Sequence, residues 1–389
     1  MNRSSLSSVP FLSLGIRPFF LAAGFYAIFS MCIWFSLYLF DIQFNFSNIP
    51  APLWHAHEMV FGYTLAVIAG FLLAAVTNWT DLPTLRGTPL LILLLLWLTA
   101  RTAFYVPAMG IAWSALFDTL FALYLTVAVT RPIVRKRQWQ QLGIVTKLLL
   151  IGVANLVFYL GVLGYLEQGV HWGLYGGFYL VIGLILTMGR RVIPFFIERG
   201  LNLPRPLRNS SRVDIASLLI YLVFFIVEVF VGNRALAAAL AAVLFLIHGY
   251  RLAGWYASGI WRRPLLWSLY LSYLFIAAGF LLFALSVWFG SLWFPALHAF
   301  AVGGIGLVTL GMMTRVSLGH TGRSIQKPPR LVALSLLLLL AAAVVRVLLP
   351  PLLPAFYTDW IGLSQLLWIG AFTGFVIAYL PILTRASRP

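Results

Sequence analysis

The sequence predicts an all-α polytopic membrane protein: twelve transmembrane helices in three pseudo-repeated four-helix arcs, with both termini cytoplasmic. Three observations point there. Of the 389 residues, 62% are hydrophobic and 9% are charged, against about 25% charged in ordinary soluble domains. The apolar residues gather in runs close to the ~20 residues that a helix needs to cross the hydrocarbon core. The basic residues crowd into alternate connecting segments, the pattern that orients a multi-span protein.

The runs are taken in chain order. The first, 19–40, follows Arg17-Pro18, and the second, 59–77, follows Trp54-His-Ala-His-Glu58. Runs 89–106 and 111–130 each hold one charge within the span, Arg101 and Asp118. Run 143–165 leads to 171–189, which opens on His171. Runs 213–231, 235–252 and 265–288 come next, and 297–314 opens beside His298. Run 331–349 contains unbroken leucine from Leu336 to Leu340 followed by three alanines, and 361–383 closes the series. All twelve are too long for membrane barrel strands, which need about ten residues. Their joints are short, so residues 1–389 read as a single transmembrane domain with no separate soluble domain.

The net charge of +17 suggests nucleic acid only until the charges are placed. With the amino terminus inside, 23 of the 26 lysines and arginines fall in inner segments, leaving Arg101, Arg234 and Arg346 outside. That bias sets orientation and meets anionic lipid headgroups, so the bilayer is the partner and nucleic acid is not. The inner stretches 190–212 and 315–330 are basic and proline-containing, and they read as solvated cytoplasmic loops. The lone Cys32 lies within a span, which leaves no intrachain disulfide. There is no Cys-x-x-Cys-His, so any haem is bound without covalent attachment, as a b-type haem.

The candidate site residues come from a repeat. His57, His171 and His298 each have a glycine five residues later, at Gly62, Gly176 and Gly303. They begin the second, sixth and tenth runs, a step of four helices each time, all running from the outside inward. Histidine is the commonest ligand of haem iron and copper, and this layer lies near one bilayer face. His55 joins it. On a helix His55 and His57 stand about 200° apart; in an extended approach, which Pro50 and Pro52 permit, they point the same way. Tyr175 follows His171 by four residues and shares its helical face. His248 and His320, toward the inner side, read as structural. Arg101 and Arg346 lie within spans near the outer end, where a charge needs a partner. Haem propionates and the acids Asp118 and Glu228 compete for that role, and Asp118 also suits a proton path.

Four stretches carry a family resemblance: Gly15-Ile-Arg-Pro-Phe-Phe20, Trp54-His-Ala-His-Glu-Met59, Gly189-Arg-Arg-Val-Ile-Pro-Phe-Phe196 and Thr314-Arg-Val-Ser-Leu-Gly-His-Thr-Gly-Arg323. In this order they resemble the signature stretches of NnrS proteins across essentially the whole chain. The resemblance implies a bacterial inner-membrane protein that contains haem and copper and is linked to nitric oxide metabolism, denitrification and resistance to nitrosative stress.

A more distant similarity is to the large subunit of haem-copper oxidases, also twelve helices in three arcs. It implies His57 and His298 as haem ligands, His171 as a copper ligand and Tyr175 as its partner. Beside it, the residues themselves offer His55 as a second copper ligand, Arg101 and Arg346 as contacts for haem propionates, and Glu58 as a possible partner. The chain departs from that pattern: run 213–231 has no histidine pair, and the tenth run has one histidine where the oxidases have two. Oxygen reduction coupled to proton pumping is therefore not expected. The reaction stays open between an oxidoreductase acting on nitric oxide, a binder or sensor of it, and a quinol-linked electron-transfer protein. A secondary transporter is the alternative outside haem chemistry.

Overall fold

The computed structural model of the chain describes residues 9–387, apart from residues 48 and 107–108. Among these residues all regular structure is helical. The spans are α1 Ile16–Phe40, α2 Ala51–Thr80, α3 Thr88–Ala103, α4 Gly110–Arg135, α5 Trp139–Val162, α6 Gly169–Leu201, α7 Ser211–Val231, α8 Arg234–Trp255, α9 Pro264–Leu285, α10 Gly290–His320, α11 Arg330–Leu352 and α12 Pro354–Thr384. Eleven are long and apolar enough to cross a bilayer. The exception is α3, whose 16 residues rise about 24 Å, short of the ~30 Å core. The expected run 89–106 loses its last turn there, because the helix ends at Ala103.

Proline decides where α2 begins. Pro50 caps it and Pro52 sits in its first turn, where a missing amide proton costs nothing. The helix therefore starts at Ala51, eight residues before the apolar run, and takes in both His55 and His57. The extended approach is not formed, and the two rings leave the helix in different directions. Helix ends are equally local: Asp41 and Asp81 close α1 and α2 in left-handed conformation, and Gly232 does so for α7.

Three spans are not plain α-helices. A π segment interrupts α2 at Glu58–Thr64, ends α7 at Val227–Val231, and interrupts α10 at Ala299–Gly306. The spans also differ in enclosure. The apolar window of α2 is 83% buried and that of α10 67%, while the other long spans lie between 33% and 56%. So the two helices that carry His57 and His298 are the most enclosed. At the other extreme, α7 turns Ile215, Leu219 and Leu222 outward, as a lipid-facing helix does.

The chain divides into two compact units. One comprises Met1–Val181, Val316–Arg323 and Val376–Pro389; the other comprises Ile182–Arg315 and Ser324–Phe375. In the first, α4 packs on α2, α3 and α5, and α1 packs along α2. Helices α5 and α6 touch backbone to backbone: a Cβ on Gly173 would fall 2.3 Å from the Phe158 nitrogen, and one on Gly161 2.2 Å from the Val170 nitrogen. Small residues at a membrane helix contact permit this approach. In the second unit α9 packs on α8 and α10, with α7 on α8 and α11 on α10.

Candidate haem and metal site

His57 anchors a buried polar network in the first unit. Its Nδ1 lies 2.7 Å from Glu58 Oε1, and its Nε2 lies 2.8 Å from Asn155 Oδ1 of α5. Glu58 Oε2 faces Arg101 Nε of α3 at 3.2 Å and accepts from the Tyr26 hydroxyl of α1. Arg101 also pairs with Asp118 of α4, which accepts from the Tyr159 hydroxyl at 2.6 Å. His57 and Glu58 are fully buried, with Asp118 at 1% and Arg101 at 3% exposure. A lone buried charge would be prohibitive, so the two carboxylates and the guanidinium hold one another in place. Rings of Phe61, Phe104, Phe158 and Tyr159 enclose the imidazole at centroid distances of 4.6–5.4 Å.

The glycine after His57 has a definite use. A Cβ on Gly62 would fall 2.8 Å from Glu58 Oε2 and 2.9 Å from Arg101 Nη1. The ion pair lies across the bare backbone at that point. The π segment around it is also tied down. Trp97 Nε1 of α3 donates to the Gly62 carbonyl at 3.0 Å, and Thr64 Oγ1 donates to the Met59 carbonyl at 2.7 Å. Both bonds satisfy carbonyls where the regular ladder is displaced.

His298 stands at the matching junction in the second unit. Its Nδ1 donates to the Phe294 carbonyl at 2.8 Å, which leaves the Nε2 lone pair to accept from Arg346 Nη2 at 3.1 Å. Its π segment also contains the glycine partner: a Cβ on Gly303 would fall 2.2 Å from the Phe275 ring. His171 differs, because α6 runs on as regular α-helix past Gly176. That imidazole is exposed and lies 4.8 Å from the Tyr175 ring. His55 stacks flat on Trp34 of α1, with centroids 4.6 Å apart and planes 9° from parallel.

The structure brings His57, Glu58 and Arg101 together. It gives Arg346 to His298, and it gives Arg101 the acid partner Asp118. Asn155, Tyr26 and Tyr159 complete the first-unit network without having been singled out from sequence. Asn155 had a legible signal, as an amide inside an apolar run. The two tyrosines had none, being two among sixteen. His248, read from sequence as structural, is fully buried, and its Nδ1 meets the Tyr273 hydroxyl at 2.7 Å. Around it Arg251 bonds Tyr273, Ser217 and Asp214, and Arg190 holds the other Asp214 oxygen.

Two observations test the donors against haem. With Nδ1–H directed at Glu58, the His57 Nε2 carries a lone pair, and Asn155 Nδ2 is left buried without a partner. Exchanging the amide oxygen and nitrogen of Asn155, whose assignment follows from the hydrogen-bond network, places Nδ2 as donor to that lone pair. A carboxylate behind one imidazole nitrogen and a lone pair on the other is the arrangement of a metal-ligating histidine. His298 has the same disposition, with a carbonyl in place of the carboxylate. Both dispositions suit an iron ligand, provided the side chain now against Nε2, Asn155 or Arg346, moves off it. Among the described residues no three His, Cys, Asp or Glu side chains gather into a metal-binding group.

No curated protein matches the chain. A family model described as NnrS protein matches residues 10–387, nearly the full length. With its apolar helices and its paired histidine junctions, the chain belongs to the NnrS family.

Proposed function

We propose that this membrane protein binds non-covalent haem through His57 and His298 and acts on or senses nitric oxide in the bacterial inner membrane, with both termini cytoplasmic. Family membership points to a nitric-oxide-related membrane protein. The observation that carries the haem reading is the twinned junction. His57 ends a short α-helical segment and the π segment begins at the next residue; His298 does the same. π segments inside helices concentrate at functional sites, and these two lie in the most enclosed spans.

When bound, haem would supply an iron able to take up nitric oxide, a small apolar ligand that reaches a buried site through lipid. The chain's own residues supply the rest. Glu58 fixes the orientation of the His57 ring, and Arg101 holds Glu58 in place. The ring enclosure around His57 keeps water away. The Phe294 carbonyl orients His298, and Arg346 stands beside it as a cation for an anionic group such as a propionate. Arg101, with two carboxylates already on it, serves the network instead. Copper, with His55 and His171 as its donors and Tyr175 beside the latter, is part of the reading on family grounds only, and no step is derived through it.

The test is optical and elemental. His57→Ala and His298→Ala variants purified in detergent should lose the haem Soret band, and an unchanged band in both would refute the haem ligands. Metal analysis of His171→Ala should show lost copper, and full retention would remove that assignment. A colourless and metal-free wild-type protein would favour a secondary transporter instead.

A further inference from the structure

The second unit contains a cavity of about 270 Å³ lined by Arg199, Arg263 and Arg315 and by no acid. Arg315 is the informative member. Only 8% of it is exposed, and its guanidinium lies 3.8 Å from the Phe196 ring centre. That cation–π contact is its one polar engagement among the described residues. Five N–H donors on a buried, permanently charged group then border a cavity whose lining holds no carboxylate. Such a group is costly unless something anionic completes it.

The surroundings say what that something is. Arg263 reaches the same space while donating to the Gln326 carbonyl at 3.2 Å, and Arg199 enters from the end of α6. The nearby carboxylates are engaged elsewhere: Glu198 accepts from the Leu207 amide, and Asp214 holds Arg190 and Arg251. Among the described residues no ion pair involves any of the three arginines, and together they suit a ligand with several acceptor oxygens. The rest of the wall is apolar, with Leu265, Leu266 and Ile325. The volume equals roughly nine waters and lies below the ~300 Å³ at which typical small-molecule pockets begin.

We propose that Arg315, Arg263 and Arg199 form a binding site for a phosphate group, carried by an anionic phospholipid headgroup or by a soluble phosphate. Guanidinium matches phosphate in two-point geometry, and basic pockets between transmembrane helices take anionic headgroups. The apolar wall receives the carbon side of a phosphodiester, and the stacked Phe196 holds the Arg315 plane in position for it. The stretch 315–330, read from sequence as a solvated loop, supplies Arg315, Ile325, Gln326 and Pro328 to this wall. This site involves neither His57 nor His298 and stands or falls apart from the haem reading.

Native mass spectrometry of the full chain in detergent tests it, with phosphatidylglycerol and phosphatidylcholine added separately. Wild type should retain phosphatidylglycerol preferentially. Arg315→Gln should weaken that binding roughly tenfold to a hundredfold, the loss expected for hydrogen bonds to a charged group. Arg263→Gln, at the half-buried rim, provides the same reading if Arg315→Gln fails to fold, and Arg212→Gln, outside the cavity, should bind as wild type. Displacement by inorganic phosphate identifies a soluble phosphate as the ligand source; retention against it identifies the headgroup. The proposal is overturned if Arg263→Gln and any folded Arg315→Gln bind phosphatidylglycerol as wild type does. It is also overturned if wild type neither prefers that lipid nor binds phosphate.

Discussion

Replacing Arg101 with methionine should be among the most damaging single changes in the chain. The guanidinium lies 3.2 Å from Glu58 and also contacts Asp118, and all three groups are at most 3% exposed. At an effective dielectric of about 20, a pair at 3.2 Å attracts by about 5 kcal/mol, most of which offsets the desolvation of both ions. Removing the cation leaves that desolvation uncompensated on two carboxylates at once, so the net loss should be about 3–5 kcal/mol. Methionine keeps most of the volume, which isolates the charge effect from cavity formation. The assay is denaturant unfolding of the purified protein in a fixed detergent, followed by tryptophan fluorescence. The triple variant Arg101→Met, Glu58→Gln, Asp118→Asn should recover most of the loss, because these three positions then carry no charge and the tyrosine hydroxyls still have amide oxygens as acceptors. Wild-type stability in Arg101→Met, or no recovery in the triple variant, would refute the reasoning.

Further outcomes follow from the close contacts. Gly173→Ala should destabilise by about 1–3 kcal/mol, since its Cβ meets the Phe158 backbone at 2.3 Å, while Gly249→Ala, with no atom within 4 Å, should not; equal unfolding midpoints for the two would contradict the α5–α6 contact. Arg17 donates to the Leu383 carbonyl at 2.9 Å, to the Arg385 carbonyl, and to Ser387 Oγ at 3.0 Å. Arg17→Gln should therefore speed tryptic cleavage at Arg385 several-fold, read by mass spectrometry of timed digests; an unchanged rate would mean the segment is held by other contacts.

Much of the candidate site was legible because membrane burial makes polar residues conspicuous. Arg101 and Asp118 each stood out as a charge within an apolar run, and the structure pairs them. His57 and His298 stood out through their glycines. The reason for the glycine differs, though: at Gly62 an ion pair crosses the backbone, and at Gly303 a phenylalanine ring does. Sequence spacing cannot separate these, because both demand only the absence of a Cβ. Nor could it separate His171 from the other two. The π segments depend on which neighbouring groups, such as Trp97 at Gly62, satisfy the displaced carbonyls.

The sequence by itself determined that this chain is helical, spans a membrane many times, and belongs with one family. Those properties follow from run length, composition and charge segregation, which need no knowledge of neighbours. Only the tertiary structure decided the partners of each buried polar group. Asn155 behind His57, Arg346 against His298, and Arg315 stacked on Phe196 without an acid are meetings of residues 48 to 119 positions apart. A buried charge or imidazole announces from sequence that it must have a partner, because its desolvation is costly. Which partner it finds is settled by helix packing, and that is where the candidate haem ligands and the proposed phosphate site come into view.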